Sequence, residues 1–391
     1  DKVIALSLDV DSEAVASILS GKAAELNQKA VDNGLVRENG AFKIIKGEQG
    51  IEVNVEDSIA AIENYISSEW DGGNAEIELV AEVVEPRGSE EDLEQITDMM
   101  GSYTTNYKDS GQNRCDNISN ATSKINGTLL YPGEEFSVYE AIGPLDAANG
   151  YELAGAYENG QTVESYGGGV CQVSTTLYNA VILAELEITQ RSNHSMIVSY
   201  VKPSMDAAIA GDYKDLRFVN NQDIPIYIEG YTEGKNVTFK IYGHDTRPSN
   251  RVVTYESEVI SEQDPGTQYV ATGDPAGYMK TAQGKHIGYV ARLWKVVTVD
   301  GVEESREIFN KSTYKASPKI VNVGTASADP NVSAVIGAAL ATGDEATINA
   351  AVAPYAASAA AILNPAPVEQ PSQEEQAITG TVDESQITGG E

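Results

Sequence analysis

One cysteine follows three consecutive glycines in the middle of the chain, within the segment ESYGGGVCQVS. Beyond Cys171 the apolar residues recur at helical spacing, and no Gly or Pro interrupts them through Ile188. We therefore predict that Cys171 lies at or just before the N-terminus of a helix. Free N–H groups and the dipole of a helix start favour a thiolate over a thiol, so this position suits a nucleophile.

The glycines before the cysteine let the backbone approach a substrate carbonyl closely. Backbone N–H groups around Gly169–Gln172 are predicted to stabilise an oxyanion there. The predicted oxyanion and substrate loop consists of Gly167, Gly168, Gly169, Gln172 and Ser174.

A cysteine nucleophile also needs a general base, which is usually a histidine. His194 follows Cys171 by 23 positions, room for a helix to end and the chain to return. Asp206 could orient the imidazole, as in a Cys–His–Asp arrangement, and Asp215 is the competing candidate. We expect His244, before a Pro turn, to be structural or at the surface. His286, in a Gly-flanked loop, is expected at the surface.

Three readings without catalysis remain open at this point. Cys171 could be a small buried thiol, and His194 a polar residue at the end of a strand. A disulfide between Cys115 and Cys171 would also be structural. Spacing does not choose among these readings. Two cysteines and three histidines argue against a disulfide framework or a zinc site, and we expect neither metal nor organic cofactor.

The chain has 391 residues, a length typical of two or three domains, and a formal net charge of −33. This charge excludes nonspecific binding to nucleic acids or anionic membranes. The excess negative charge is distributed unevenly along the chain. Residues 1–110 carry a net charge of −16, residues 111–324 a net charge of −8 and residues 325–391 a net charge of −9. The chain contains no run of 18 or more apolar residues, so the sequence predicts no membrane span. Because the chain begins at Asp1 rather than Met, we expect that a leader or membrane anchor has been removed.

The elements that position these residues indicate an α+β multidomain protein. We predict an α+β domain over 1–108, a domain with the cysteine over 109–246, a small β-rich domain over 247–324 and a disordered Ala/Pro-rich acidic tail over 325–391. The predicted elements are strands at Val3–Leu8, Ala75–Val84, Met196–Val201 and Val252–Val259, helices from Asp11 or Ser12 toward Ala30 and from Asp57, and hairpins of Phe42–Ile45 with Ile51–Val55 and of Tyr289–Val299 with Glu303–Asn310.

Several separated motifs across residues 112–243 resemble the VanW family, in the family's order. They include NRCDNISNATSKINGTLLYPGEEFSVYEAIGP, GGGVCQVSTTLYNAVILAELEI, RSNHSMIVSYV and YKDLRFVNNQDIPIYIEGY. The family was first noted beside vancomycin resistance in bacteria with thick walls. Members have been assigned L,D-transpeptidase activity through the Cys of the GGGxCQ motif. The resemblance implies that Cys171 is the nucleophile and His194 its base.

This sequence departs from the family pattern at three places. The family usually reads HNHS where this chain has Ser192–Ser195, so the first His is absent. The usual Arg-Asp pair is Met205-Asp206 here, which lacks the Arg. Cys115 replaces a small or aliphatic residue, and we hypothesise that it pairs with Cys171 under oxidation.

The flanking regions resemble two other wall-associated domains. FKIIKGEQGIEVNVEDSIAAIENYI and EEDLEQI resemble the peptidoglycan-binding domain found beside cell-wall transpeptidases, and recurrent glycines with STYKASPKIVNVGT resemble the surface domain named for its five glycines, called G-five. These resemblances imply an extracytoplasmic wall protein whose partners are peptidoglycan stem peptides and glycan. The function expected from them is L,D-transpeptidation, and the alternative is noncatalytic wall binding or adhesion linked to glycopeptide resistance.

Overall fold

The computed structural model describes residues 9–158, 161–211 and 213–363. The described chain is a mixed α+β protein with a β-rich C-terminal region, as the sequence predicts. It divides into two compact units. The first contains residues up to 263 together with 287–316, and the second contains 264–286 and the residues from 317 onward. The predicted strand Val3–Leu8 lies outside the described residues.

The N-terminal region places two helices beside short strand pairs. Its elements are α1 (Ser12–Leu26), β1 (Gly34–Glu38), β2 (Ala41–Ile45), β3 (Gly50–Val53), α2 (Val55–Ser68), β4 (Ala81–Val84) and α3 (Glu90–Glu94). Asp11 caps α1 by accepting the N–H of Ala14, and Asn54 caps α2 in the same way from Asp57. α1 begins where the sequence predicts, and α2 begins two residues before the predicted Asp57.

The hairpin predicted between Phe42–Ile45 and Ile51–Val55 is wrong. β2 pairs with β1 and β3 pairs with β4, both antiparallel. The turn of the first pair is Asn39-Gly40, whose φ angles of 51° and 83° match the left-handed conformation that two-residue hairpin turns require. Asn39-Gly40 is the sequence signal typical of such a turn. The strand predicted from Ala75 begins only at Ala81, where β4 finds its partner.

The central part of the first unit is an antiparallel sheet covered by helices. Its elements are β5 (Asp98–Asn106), α4 (Gln112–Ile125), β6 (Thr128–Leu130), β7 (Glu135–Ser137), α5 (Val138–Ile142), β8 (Leu153–Glu158), β9 (Gln161–Tyr166), α6 (Val170–Leu183), β10 (Glu187–Gln190), β11 (Arg217–Val219), β12 (Ile226–Glu233) and β13 (Asn236–Gly243). The main sheet has the order β5–β13–β12–β6, and α6 packs against β5 and β13. Nearly every side chain of α6 is buried, so the helix is a fixed support for Cys171.

Between β10 and β11, the described residues of 191–216 form neither helix nor strand, apart from one isolated bridge. The strand predicted for Met196–Val201 is therefore wrong. Its apolar alternation is real, since Met196 and Val198 are buried, but the segment has no strand partner. Alternating burial reflects packing here, not a β ladder.

The β-rich C-terminal region consists of β14 (Arg251–Gln263), β15 (Thr267–Pro275), β16 (Met279–Gln283), β17 (Gly288–Val299), β18 (Val302–Tyr314) and β19 (Lys319–Ala326). Its strands form two sheets, β14–β17–β18 and β15–β19–β16. The first sheet belongs to the first unit and the second sheet to the second. The predicted hairpin at Asp300-Gly301 is confirmed, because these residues join β17 to β18.

The second unit carries helices where a disordered tail was predicted. α7 (Pro330–Thr342), α8 (Glu345–Val352) and α9 (Ala356–Leu363) follow β19. Ile336 and Ile348 are fully buried in a core with Val323 of β19, so the few large apolar residues of this segment are enough to order it. The tail prediction is wrong for residues 330–363, and residues from 364 onward lie outside the described part.

The helical run Glu345–Leu363 is long and apolar enough to cross a membrane, judged by length and composition alone. It is the one such run in the described part of the chain. Ile348 and Val352 of this run are buried in the unit's own core. A packed helix of a water-soluble domain meets the same test, so the observation does not establish a membrane span.

Glu185, just after α6, anchors the sheet β14–β17–β18 to the central core. It accepts Arg251 of β14 and Lys295 of β17, the latter at 2.7 Å. Burial alone would raise the pKa of Glu185, but these two cations outweigh it and hold the pKa at about 2. A carboxylate with a lowered folded-state pKa stabilises the fold above its unfolded-state pKa, and this contribution disappears as the pH falls through the folded-state value.

We therefore expect Glu185→Gln to lower the free energy of unfolding by on the order of 2 kcal/mol at neutral pH. The difference from the parent should shrink as the pH falls from about 4.5 toward 2. Urea unfolding across this pH range measures it. Glu303→Gln, which removes an exposed partner of Arg306, is the control and should cost much less. A cost for Glu185→Gln that is independent of pH would contradict the assigned ion pairs.

Candidate active site

Cys171 is the second residue of α6, so the predicted position at a helix N-terminus is confirmed. Its Sγ lies 3.4 Å from both the N and the O of Ile209, in the irregular segment that returns over the helix. The thiol and the imidazole of His194 influence each other's ionisation. Cys171 is half-buried, and both cysteines of the chain are free, so the structure contains no Cys115–Cys171 disulfide.

The three glycines form the tight entry into α6 that the sequence suggests. Gly169 caps the helix with a φ of 115°, a conformation that residues with a Cβ rarely adopt. A Cβ on Gly168 would lie 2.5 Å from the carbonyl oxygen of Ala154 in β8, so the backbone passes too close for any side chain. Both positions therefore require glycine to place Cys171 against its neighbours.

Two backbone N–H groups beside the thiol remain available. The N–H of Val170 donates to Gly167 and that of Gln172 donates to Gly169. Among the described residues, the N–H groups of Gly169 and Cys171 have no acceptor. These two donors fall within the range predicted to hold an oxyanion.

Gln172 and Ser174 lie in the interior instead of facing a substrate. The amide of Gln172 donates to Thr105 Oγ1 and to the Asn106 carbonyl, both at 3.0 Å, and accepts from Arg114. Ser174 is fully buried and donates to the carbonyl of Ala207. Their side chains fix α6 between β5 and the returning segment, so they position the site and do not line it.

His194 and Asp206 both lie on the returning segment and meet in the interior. Asp206 Oδ2 is 2.7 Å from His194 Nδ1, and the same oxygen accepts the backbone N–H of His194. Because Nδ1 is occupied by the carboxylate, Nε2 is the ring nitrogen left for the thiol of Cys171. The structure thus brings together the three residues predicted as nucleophile, base and orienting acid.

The other oxygen of Asp206 has two partners that the sequence analysis missed. Arg191 Nη2 donates to Oδ1 at 3.0 Å, and the hydroxyl of Tyr314, at the end of β18, donates to the same atom. Arg191 provides a cation beside Asp206. The family's usual Arg before the Asp is Met205 in this sequence, so the cation comes from a different position. Arg191 lies three residues before His194, and this closeness in the chain is the only feature of the sequence that points to it. Tyr314 is 108 residues beyond Asp206, and no sequence feature connects the two.

The environment favours a thiolate–imidazolium pair. Burial raises the pKa of Cys171, but the hydrogen bond and charge of His194 with the N–H of Ile209 lower it overall. Burial lowers the pKa of His194, but Asp206 and Cys171 outweigh this and raise it to about 9. The pKa of Asp206 is lowered, because His194 and Arg191 outweigh its burial. A charged imidazole at neutral pH therefore favours the ionised form of the thiol beside it.

The competing candidates lie elsewhere. Asp215 accepts the Ser137 hydroxyl and the N–H groups of Tyr139 and Leu216, so it holds α5 and does not contact His194. His244 is half-exposed, with Nδ1 3.8 Å from Asp98. Within the described ranges, no group of three or more His, Cys, Asp or Glu residues could hold a metal ion.

Comparison with known proteins places these residues in a family. The family model described as "VanW like protein" matches residues 113–242, which contain Cys171, His194 and Asp206. The chain is also 32% identical over 214 residues to "Uncharacterized protein YoaR" of Bacillus subtilis, covering 54% of this chain and 69% of that relative. The chain belongs to the VanW family. It is 30% identical over 118 residues to "Vancomycin B-type resistance protein VanW" of Enterococcus faecalis, covering 29% of this chain and 42% of that protein.

Two further family models flank the VanW match. "Putative peptidoglycan binding domain" matches residues 1–71 and "G5 domain" matches residues 251–326. Among solved structures, the chain is similar to "IgA1 Protease G5 domain structure" at 27% identity, covering 20% of this chain and 94% of that one. The TM-score is 0.15, so this likeness supports no conclusion about the fold. The matches identify a VanW-family cell-wall protein with a peptidoglycan-binding domain and association with the wall or cell surface.

Proposed function

We propose that this VanW-family protein is a peptidoglycan L,D-transpeptidase that links the third residues of two stem peptides through a thioester on Cys171. The observation that carries the proposal is the series Cys171–His194–Asp206 at the N-terminus of α6, in which buried Asp206 is hydrogen-bonded to His194 and His194 lowers the pKa of the thiol. A cysteine paired with a histidine that a buried carboxylate orients is the arrangement used for acyl transfer.

In the first step the Cys171 thiolate attacks the carbonyl carbon of the third, L-centred residue of a donor tetrapeptide. A C–S bond forms and the carbonyl electron pair moves onto oxygen. When the carbonyl re-forms, the C–N bond to the terminal D-residue breaks. His194 donates its Nε2 proton to the departing amine, which leaves as the free D-amino acid.

In the second step a side-chain amine on the third residue of an acceptor stem attacks the thioester carbonyl. Neutral His194 takes a proton from that amine as the new C–N bond forms. The C–S bond breaks and the thiolate of Cys171 returns, paired again with the charged imidazole. The two steps exchange one amide for another, so they need no metal, oxidant or nucleotide.

The N–H groups of Gly169 and Cys171 are the donors for the oxyanion in both steps. They have no acceptor in the described structure and flank the nucleophile in the chain. Preorganised donors of this kind stabilise the charge that develops on the carbonyl oxygen. The helix dipole at the start of α6 adds to the same effect.

The flanking regions suit a peptidoglycan substrate. The peptidoglycan-binding match at residues 1–71 supplies contact with the wall, and the G5 match at 251–326 is consistent with a surface location. Most of the negative charge lies in residues 1–110 and 325–391, while residues 111–324 carry a net −8. A stem peptide with its own carboxylates therefore meets less repulsion at the catalytic region.

Purified disaccharide tetrapeptide is the direct test substrate. We expect the full chain to form dimers linked between third residues and to release one terminal D-amino acid per dimer. Mass analysis measures the dimers and a coupled D-amino acid assay measures the release. A disaccharide tripeptide donor lacks the scissile bond, so it should give neither product.

The alternative is a noncatalytic wall-binding protein, which the two flanking family matches favour. In that case the chain would sediment with purified peptidoglycan, but neither dimers nor a free D-amino acid would form. Binding without either product would therefore reject the transpeptidase and support the binding role.

A further inference from the structure

The end of β18 lies along the segment that carries the proposed base. Asn193 Nδ2 donates to the carbonyl of Thr313 at 2.9 Å, and the N–H of Lys315 donates to the carbonyl of Ser195 at 2.7 Å. His194 is the residue between these two contacts. The segment 191–216 has no strand partner of its own, so these bonds to β18 fix the backbone on both sides of the base.

The same strand also holds Asp206. The hydroxyl of Tyr314 donates to Asp206 Oδ1 and accepts the N–H of Ser204 at 2.7 Å. Arg191, the second donor to Oδ1, is held in turn by Ser312 Oγ at 2.9 Å. Tyr314 is about 2% exposed and Ser312 about 3%. Arg191 and Tyr314 donate to the Asp206 oxygen that does not contact His194. Both donors are thus held in place by β18.

Further contacts attach the same sheet to α6 and to the segment 191–216. Tyr255 of β14 donates to the carbonyl of Ile182, Asn310 of β18 donates to the hydroxyl of Tyr178, and Ser257 donates to the carbonyl of Pro203. Tyr255, Ser257 and Asn310 lie within the G5 match, which begins at residue 251. Cys171 lies in a different family match.

We propose that the sheet β14–β17–β18 is an integral part of the catalytic unit, and that Tyr314 is a positioning residue that holds Asp206 against His194. The inference deepens the proposed function, because Cys171 is taken as its nucleophile. It assigns to the first half of the G5 match a role within the site in addition to any binding role.

The expected consequence is a change in the ionisation of the site. Asp206 is faced by His194, Arg191 and Tyr200 from its own segment, by Tyr314 from β18, and by Cys171 and Tyr178 from α6. Without the Tyr314 hydroxyl, one oxygen of a buried carboxylate keeps Arg191 alone. The carboxylate is then harder to keep ionised, so it supports the charged imidazole less well and the pKa of His194 falls. The weaker imidazolium stabilises the thiolate less, so the thiolate forms only at a higher pH.

The test is the pH dependence of Cys171 alkylation by iodoacetamide in the full chain, read by mass spectrometry of the Cys171 peptide. For Tyr314→Phe we expect the acid limb of the profile to move up by about one pH unit. Tyr255→Phe removes a buried hydroxyl from the same sheet without touching Asp206, and its profile should match the parent.

An unchanged acid limb in folded Tyr314→Phe would overturn the proposal, and so would an equal shift in Tyr255→Phe. If Tyr314→Phe does not fold, Ser312→Ala decides, because it removes the support of Arg191. The acid limb of the alkylation profile of Ser312→Ala must also move to higher pH, and an unshifted limb rejects the proposal. Alkylation does not require transpeptidation, so a shifted limb in a chain that forms no dimers removes the proposed function and leaves this inference standing.

Discussion

Replacing Cys171 with alanine is expected to reduce dimer formation from disaccharide tetrapeptide to the uncatalysed background, a loss of about 10⁴-fold or more. No other described nucleophile contacts His194, since its Nδ1 is bonded to Asp206 and its remaining partner is the thiol. The substitution leaves the backbone of α6 intact, so binding to peptidoglycan should persist. Dimer yield and co-sedimentation with wall material, measured on the same preparation, separate the two activities.

Cys115→Ala is the matched control for this substitution. Cys115 lies on α4, is part-buried, and its Sγ contacts the Ser110 carbonyl at 3.7 Å. Because it contacts neither His194 nor Asp206, its loss should leave the rate of dimer formation close to that of the parent. A Cys171→Ala protein that forms dimers at the parental rate would reject the cysteine mechanism.

The second large effect is expected from Asp206→Asn, on the order of a 10³- to 10⁴-fold loss of dimer formation at neutral pH. The carboxylate accepts from His194 and from Arg191 and Tyr314, two donors on each oxygen. An amide has one oxygen, so its NH₂ must face donors on one side. If it faces His194, the ring is forced into the tautomer with the proton on Nε2, which cannot accept the proton of Cys171.

The acid limb of the activity profile should also move to higher pH in Asp206→Asn. The negative charge of Asp206 helps to raise the pKa of His194 to about 9, and the charged imidazole in turn helps to lower the pKa of Cys171. Removing the charge therefore lowers the pKa of His194 and raises that of the thiol, so less ion pair exists at neutral pH. The rate of dimer formation between pH 5 and 9 measures this.

Asp215→Asn controls for the loss of a buried carboxylate. Asp215 is fully buried and, like Asp206, accepts four donors: Ser137, Tyr139, Leu216 and Arg217. Its substitution should lower the free energy of unfolding while the rate per folded molecule stays near that of the parent. Equal losses of rate in the two variants would show that Asp206 acts through stability alone.

Local patterns in the sequence were sufficient to place the cysteine. Three glycines and the uninterrupted apolar pattern predicted a helix start at Cys171, and α6 begins at Val170, whereas spacing alone did not decide whether His194 acts on the thiol. The same local rules predicted the hairpin at Asp300-Gly301. These features depend on residues close together in the chain, where backbone preference decides the conformation.

Features set by distant contacts were not predicted. Tyr314 donates to Asp206, although the two residues lie in different family matches. Residues Met196–Val201 alternate in burial but do not belong to a sheet. The composition after β19 is poor in large apolar residues, which favours a solvated tail over helices. Ile336 and Ile348 are nevertheless buried there, a tertiary effect that composition does not reveal.

The most direct test of the central claim is the mass of the Cys171 peptide after an acid quench. A disaccharide tetrapeptide whose side-chain amine is acetylated can acylate the enzyme but cannot accept, so the thioester should accumulate. We predict an adduct on Cys171 equal to the donor minus its terminal D-amino acid, absent in Cys171→Ala. A Cys171 peptide that stays unmodified while the D-amino acid is released would contradict the mechanism.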